Sequence, residues 1–325
     1  MGDSAGAPGR KRQLSRVEVD AEVTEIESFT ASLTSSVYDF RTENGRRYHA
    51  YRDGNYLMPN DEDEKERLDI MHAMMLEMMG GKLFLAPISR SPRHVLDLGT
   101  GTGLWAIDFG DKFSRTEVIG NDLSPMQPEY VPPNVKFIID DFEDEWVYEG
   151  RRFDFIHARY LAGSVRDFPK LLEQCYNNTA PGGWVEFQDW DTKIYSEDGS
   201  LDGSSIGLYY DIISAAYSKA GYTINPGPNL EQWFREAGFV DIRVRKYLLP
   251  MGTWPKDEHL KVLGAWNLLE ADSGFEAGAM AILTRNEGWA SDEVKILAQK
   301  ARSDIRNHRI HSMFDFYVVS GRKPE

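Results

Sequence analysis

Short runs of apolar residues recur along the middle of the chain, each about as long as a buried strand. The runs are Val95–Leu98, Glu117–Gly120, Asn134–Ile139, Phe153–His157 and Trp184–Gln188. Helical patterns follow the first run and precede the last, where Phe168–Asn178 is the clearest. This alternation predicts βαβ units, and therefore an α/β fold built on a mostly parallel sheet.

Two later runs alternate between apolar and polar positions and predict further strands. One spans Val240–Arg245 and the other Phe314–Val319. Between them, helical patterns predict an insert at about residues 250–312, which we expect to cover the substrate. The predicted helices of the insert lie near Lys256–Glu270, Phe275–Asn286 and Ser291–Asn307.

The chain before these strands divides into two parts. Residues 1–30 are polar and lack periodicity, so we predict a disordered tail. Residues 31–90 form an N-terminal helical extension, in which Asn60 can cap a helix with an acidic first turn. Methionines line one face of that helix, and core packing explains such a stripe better than a cofactor site. Residues 91–325 form the main domain.

Tyrosine and arginine side chains cluster just before the predicted helix. We single out Tyr51, Arg52 and Tyr56. They fit a lid that closes over a ligand and excludes water from it. They fit equally a segment that only packs the extension onto the sheet.

A glycine-rich turn follows the first strand. Asp97 precedes Gly99, Gly101 and Gly103, which stand at alternate positions. Glycine permits positive φ and a close approach of a ligand, and open α/β sheets bind nucleotides at this edge. The spacing differs from the G-x-G-x-x-G of dinucleotide sites, and no P-loop lysine follows. The charge of Asp97 favours a ligand with an ammonium or sulfonium group, and a purely structural turn is the alternative.

The motifs taken together resemble the signature of class I S-adenosylmethionine-dependent methyltransferases. They are Asp97 with the three glycines, Asp122, Asp141, and Pro181-Gly182-Gly183 before a later strand. Residues 48–52, 59–62 and 153–159 extend the match and are similar to the fungal LaeA-like methyltransferases, a group tied to secondary metabolism. The resemblance covers roughly residues 37–190. It implies a Rossmann-like sheet whose two late strands form an antiparallel pair at one edge.

The resemblance also implies how the chain binds S-adenosylmethionine. Asp97 and the amides of the glycine turn would hold the methionine end, Asp122 the ribose hydroxyls, and Asp141 the adenine amino group. Asp140 is the alternative to Asp141, although its side chain would face the other side of the strand. The full set of predicted cofactor contacts is Asp97, Gly99, Thr100, Gly101, Gly103, Asp122, Leu123, Asp141 and Phe142.

A proton acceptor is needed only if the methyl acceptor is an alcohol, a phenol or an ammonium group. His157 is the candidate base, and a structural histidine is the alternative. The weaker candidates are His72, Tyr160, His308 and His311. Arg159 and Arg52 are candidates to bind a carboxylate or to line the entrance. No motif has metal-ligand spacing, so we expect no metal.

Composition limits the partners and the compartment. The net charge is −15, from 37 basic and 52 acidic residues, so we expect no direct nucleic-acid binding. No run of about eighteen apolar residues is present, so we expect no membrane span. The single cysteine, Cys175, cannot form an internal disulfide, which indicates a reducing compartment, the cytoplasm or the nucleus.

Two functions fit these observations. One is an enzyme that methylates a small-molecule acceptor, a secondary metabolite, at oxygen or nitrogen in a fungal biosynthetic pathway. The other is a LaeA-type nuclear regulator that acts through protein partners. The aromatic residues of the C-terminal half favour a small-molecule pocket. An NAD-dependent oxidoreductase fits the strand order but not the glycine spacing.

Overall fold

The computed structural model describes residues 37–148 and 150–325. The predicted tail and the first residues of the predicted extension lie outside the described residues. The described part of the extension starts with a hairpin of two short strands, β1 (Arg41–Glu43) and β2 (Arg46–Tyr48). Helix α1 (Glu62–Met78) follows. The extension is therefore a strand hairpin followed by one helix.

A seven-stranded sheet forms the centre of the molecule. Its strands are β3 (His94–Leu98), β4 (Glu117–Asp122), β5 (Val135–Ile139), β6 (Phe153–Arg159), β7 (Thr179–Tyr195), β8 (Val240–Pro250) and β9 (Met313–Arg322). Their spatial order is β5-β4-β3-β6-β7-β9-β8. Neighbours from β5 to β7 are parallel, whereas β9 runs antiparallel to both β7 and β8. The predicted mostly parallel sheet with an antiparallel edge is confirmed.

The remaining helices surround this sheet. They are α2 (Leu104–Lys112), α3 (Phe168–Asn178), α4 (Ser205–Lys219), α5 (Gly227–Glu236), α6 (Glu258–Ala281) and α7 (Ser291–Ile305). Successive side chains of β3 enter different cores: Val95 packs with Phe109 of α2, and Leu96 packs with Leu171 of α3. The chain builds the sheet outward in both directions from β3 and β6, so a crevice opens at their carboxyl ends.

The N-cap of α1 is Asp61 rather than the predicted Asn60. The carboxylate of Asp61 accepts a hydrogen bond of 3.1 Å from the amide of Glu64. Asn60 is buried instead: its amide donates to Ser124 Oγ at 3.1 Å and accepts from Arg47 Nε at 3.1 Å. Partners distant in sequence therefore decide where the helix starts.

The insert between β8 and β9 contains fewer separate helices than predicted. The helices expected at 256–270 and 275–286 are one helix, α6, which continues as a π-helical turn, Ile282–Asn286. Gly274 lies inside α6, where a Cβ would come within 3.1 Å of Glu270 Oε1 and 3.6 Å of Arg67 Cδ. This glycine gives Arg67 of α1 room to pack against α6 and does not end a helix.

Candidate functional site

A cavity opens at the carboxyl ends of β3, β4, β5 and β6. It encloses about 1080 Å³, its open mouth included. The glycine turn lines one part of it, and α1 and the segment 55–59 line another. The predicted residues that it brings together are Tyr56, Asp97, Gly99, Thr100, Gly101, Asp122, Leu123, Asp141, Phe142, His157 and Arg159.

The amides of the glycine turn are already hydrogen-bonded to the end of β4. Gly99 N donates to Asn121 Oδ1 at 3.3 Å, and Thr100 N donates to the Asn121 carbonyl at 2.9 Å. Gly101 N donates to Asp122 Oδ2 at 2.8 Å. In this structure β4 lies beside the turn and accepts the hydrogen bonds of these three amides, and their contact with the methionine end of the cofactor stays a prediction.

Two glycines of the turn have different structural roles. Gly101 has φ of +59°, and a Cβ there would lie 3.4 Å from Leu68, so the backbone is open to the cavity. Gly103 has φ of +82° and precedes α2, and a Cβ there would lie 2.4 Å from the ring of Phe137. Gly103 is not among the residues that line the cavity. Packing against Phe137 accounts for this glycine, and its role as a cofactor contact stays a prediction.

Asp97 is held from two sides. His157 Nδ1 lies 2.7 Å from Asp97 Oδ1, and Thr100 Oγ1 donates to Asp97 Oδ2 at 2.6 Å. The His157 ring stacks on Trp105, with centroids 3.8 Å apart and planes 1° apart. His157 is fully buried, and burial lowers its pKa. The imidazole is therefore neutral, with its proton on Nδ1, because a carboxylate only accepts hydrogen bonds.

Asp122 and Asp141 both reach the cavity. Asp122 accepts from the amides of Gly101 and Ser124, and burial raises its pKa to about 6. Asp141 Oδ2 accepts from Asn55 Nδ2 at 3.1 Å, which ties the extension to the loop after β5. Asp140 does not line the cavity, and its side chain accepts from the amide of Asp141. This placement agrees with the choice of Asp141 over Asp140.

A chain of polar groups ends at Arg159. Arg159 Nη2 donates to His72 Nδ1 at 2.8 Å, so His72 Nε2 carries the proton that reaches Asp108 Oδ2 at 3.0 Å. Burial and the nearby guanidinium lower the pKa of His72 to about 4, and burial lowers that of Arg159 to about 10. Within residues 37–148 and 150–325, the buried Nη1 of Arg159 has no hydrogen-bond partner. One guanidinium donor is thus left for an anionic ligand.

The other predicted lid residues lie outside the cavity. Arg52 pairs with Asp144, lies 4.0 Å from Asp141, and sits over the ring of Tyr51. Sequence reasoning missed Asn55, which makes the direct contact to Asp141, and its only signal was its place beside Tyr56. Among the described residues, no group of three or more His, Cys, Asp or Glu side chains is arranged to hold a metal ion. No helix in the described part of the chain is long and apolar enough to cross a membrane.

Comparisons with known proteins agree with this geometry. A family profile described as a methyltransferase domain matches residues 70–244. The chain is 41% identical to "Methyltransferase pytC" of Aspergillus terreus over 311 residues, which are 95% of each chain. It is 36% identical to "Secondary metabolism regulator LAE1" of Cochliobolus heterostrophus, over 87% of this chain and 94% of that one. The solved structure of phosphoethanolamine N-methyltransferase 2 from Haemonchus contortus with S-adenosyl-L-methionine aligns with a TM-score of 0.49 at 15% identity, over 94% of this chain and 75% of that one. As the sequence resemblance predicted, the chain belongs to the S-adenosylmethionine-dependent methyltransferase family that includes pytC and the LaeA regulators.

Proposed function

We propose that this protein is a biosynthetic enzyme that methylates a small secondary metabolite at oxygen or nitrogen. The enclosure of the cavity is the observation that carries the proposal. Helix α1 and the segment 55–59 line it beside the glycine turn, so an acceptor enters a covered space. A covered site excludes water from the reaction and limits the size of the acceptor. The similarity to pytC supports an enzymatic role.

Asp97 and Arg159 are suited to the methionine end of S-adenosylmethionine. That end carries an ammonium and a carboxylate, and the cavity offers one group of each opposite charge. Asp97 accepts the ammonium, since a carboxylate has about four lone-pair sites and only two of those of Asp97 are in use. The free Nη1 of Arg159 donates to the carboxylate in a charge-assisted hydrogen bond.

The other two carboxylates, those of Asp122 and Asp141, are suited to bind the nucleoside part of S-adenosylmethionine. Asp122 accepts from the ribose hydroxyls, and Asp141 accepts from the adenine amino group. Leu123 and Phe142 lie beside them in the cavity and supply apolar contact to the ring. Asn55 orients Asp141 from the extension, so the same contact closes the site and positions an acid.

When bound, S-adenosylmethionine supplies an activated methyl group: the acceptor lone pair bonds to the methyl carbon while the carbon–sulfur bond breaks and its electron pair stays on sulfur. The residues of this chain supply orientation, which accounts for a large share of the barrier reduction in such in-line transfers. We assign His157 a positioning role in this site, because Nδ1 holds Asp97 and Nε2, the nitrogen that could take a proton, is buried.

Transfer of label tests the proposal. Purified protein is incubated with methyl-labelled S-adenosylmethionine and a fungal metabolite extract, with histones as the control acceptor. We expect label in the small-molecule fraction and none in the histones. Label confined to the histones would contradict a biosynthetic role.

A nuclear regulator is the second candidate, and the 36% identity to LAE1 favours it. In that case the acceptor is a protein, and the acidic surface, with its net charge of −15, attracts a basic protein segment. A fluorescent fusion at native expression level separates the two candidates further. The regulator accumulates in the nucleus, and the biosynthetic enzyme remains in the cytoplasm.

A further inference from the structure

A second cavity lies beside the first, and Tyr160 lines both. It encloses about 720 Å³, its open mouth included, and is bounded mainly by α4 and α6. Five aromatic residues and one acid dominate its wall: Tyr160, Tyr209, Tyr210, Tyr217, Phe275 and Glu270. The two cavities therefore meet at Tyr160, and a ligand in the second cavity lies next to the cofactor site.

Tyr160 is held in an unusual backbone conformation at this junction. Its φ is +61°, a left-handed value that is costly for a residue other than glycine. The buried carboxylate of Asp189 accepts from the amides of Leu161 and Ala162, and Tyr160 N donates to the carbonyl of Gln188. These hydrogen bonds fix the residues just after β6. The strained residue and its support are typical of a functional position.

The charged side chains next to the second cavity do not cancel one another. Arg67 is fully buried and makes two hydrogen bonds to the two oxygens of Glu64, which neutralises it. Arg67 Nη1 also donates to Glu270 Oε1 and, at 3.3 Å, to the hydroxyl of Tyr160. With one arginine between two glutamates, the group carries one surplus negative charge when both acids are ionised. That surplus lies at Glu270, since it is the acid that faces the cavity. Burial raises the pKa of Glu270, so a cation bound in the cavity favours its ionised form.

Two polar groups of the wall have no protein partner. In residues 37–148 and 150–325, Glu270 Oε2 accepts no hydrogen bond and the hydroxyl of Tyr210 makes none. Glu270 is 8% exposed and lines the cavity, so its free oxygen lies within reach of a ligand there. A donor on the ligand forms a charge-assisted hydrogen bond with this carboxylate.

The remaining tyrosines present their rings rather than their hydroxyls. Tyr209 donates to the Phe275 carbonyl at 2.8 Å, and Tyr217 donates to the Gly278 carbonyl at 3.2 Å. Both hydroxyls are thus committed to the backbone of α6. Aromatic faces attract cations and pack against flat apolar groups.

We propose that the second cavity binds the methyl acceptor, and that this acceptor is an arylalkylamine whose ammonium group is recognised by Glu270. The methyl group then goes to a different oxygen or nitrogen of the acceptor, one that keeps its lone pair. This inference rests on the proposed function, because it names the substrate class of the proposed methyl transfer. The surplus charge and the aromatic walls both favour a cation, whereas a carboxylic acid is repelled. A neutral alcohol of equal size fills the cavity and gains no ionic contact.

Matched pairs of ligands test the inference. Tryptamine, tyramine and 2-phenylethylamine are each titrated by calorimetry into the full chain with S-adenosylhomocysteine, next to tryptophol, tyrosol and 2-phenylethanol. We expect each amine to bind about tenfold or more tightly than its alcohol, as for a charge-assisted hydrogen bond. Glu270→Gln keeps the shape and abolishes this preference. Glu276→Gln is the matched control, since Glu276 lies on the same helix and faces Arg302 at 3.6 Å.

The outcomes separate this inference from the proposed function. Equal binding of amines and alcohols to the wild type, or a preference that survives Glu270→Gln, overturns the acceptor class while cofactor binding stands. Loss of S-adenosylhomocysteine binding by the wild type overturns the proposed function itself. If Glu270→Gln does not fold, Tyr210→Phe is the second test. We expect the loss of this hydroxyl to weaken amine binding severalfold and to leave S-adenosylhomocysteine binding unchanged. Unchanged amine binding would contradict the proposed site.

Discussion

His157 Nδ1 lies 2.7 Å from Asp97 Oδ1, and the two residues stand opposite each other on the adjacent parallel strands β6 and β3. Trp105 covers the ring of His157, and Thr100 holds the second oxygen of Asp97. The carboxylate therefore has one orientation, facing the cavity. This contact joins the two strands at which the sheet order changes direction, where open α/β sheets bind their ligands.

His157→Phe should weaken S-adenosylmethionine binding about tenfold to a hundredfold. The variant removes one charge-assisted hydrogen bond to Asp97, worth roughly 1.5–3 kcal/mol, and leaves the carboxylate less fixed. His157→Asn should restore most of the affinity, because its side-chain amide can donate from near the position of Nδ1. Isothermal titration calorimetry measures both. If instead both variants bind the cofactor normally and only turnover is lost, His157 is a base and not a positioning residue.

Asp141→Ala should weaken cofactor binding by about tenfold to a hundredfold, since it removes the acceptor that we assign to the adenine amino group. Asp140→Ala is the matched control, because Asp140 is acidic and adjacent but does not line the cavity. We expect its affinity to stay within about a factor of two of the wild type. A large effect at Asp140 with none at Asp141 would show that the adenine lies elsewhere.

The affinity for S-adenosylmethionine should fall as the pH drops below about 6. Burial raises the pKa of Asp122 to about 6, so the carboxylate gains a proton there and accepts fewer ribose hydroxyls. The stability of the ligand-free protein has the opposite pH dependence. The contribution of Asp122 is fully present below its unfolded value of 3.8 and is lost as the pH rises through about 6.

Asp122→Asn isolates this effect from other groups. Burial raises the pKa of Glu186 and of Asp189 to about 7, so both also titrate in this range, whereas His72 stays neutral. In the variant, binding should be weak and its decline below pH 6 should disappear. Calorimetry across about pH 5 to 8 gives both curves. Parallel curves for the two proteins would exclude Asp122 as the ribose acceptor.

Asn55→Asp should open the site. The substitution places a carboxylate where Nδ2 now lies 3.1 Å from Asp141, so the two like charges repel. We expect faster dissociation of S-adenosylhomocysteine, measured by stopped-flow fluorescence, and slower turnover. Asn44→Asp makes the same change on an exposed turn of the β1–β2 hairpin and serves as the control. Equal dissociation rates in the two variants would show that the extension only packs onto the sheet.

Much of the sheet could be predicted from local pattern alone. Each predicted strand run overlaps an observed strand and the helix Phe168–Asn178 has its predicted bounds, because buried strands and amphipathic helices impose short-range periodicity on the chain. The exception in length is β7, which extends from Thr179 to Tyr195 and includes Pro181-Gly182-Gly183, expected before the strand. The family resemblance singled out Asp122 and Asp141, and both line the cavity because the ends of neighbouring parallel strands meet at one edge. The family resemblance supplied the cofactor, which strand pattern alone does not identify.

Only the tertiary structure shows which polar groups at the carboxyl edge of the sheet are free to bind a ligand and which are hydrogen-bonded within the protein. Asp97 meets His157 because β3 and β6 are neighbours in register, and the glycine-turn amides are consumed by Asn121 and Asp122 because β4 lies on the other side. Arg67 reaches Glu270 across 203 residues of sequence, through the packing of α1 on α6. The sequence by itself determined the elements and their chemistry, since these depend on neighbours along the chain. The pairing of charges depends on which elements pack together, and only the folded structure shows that.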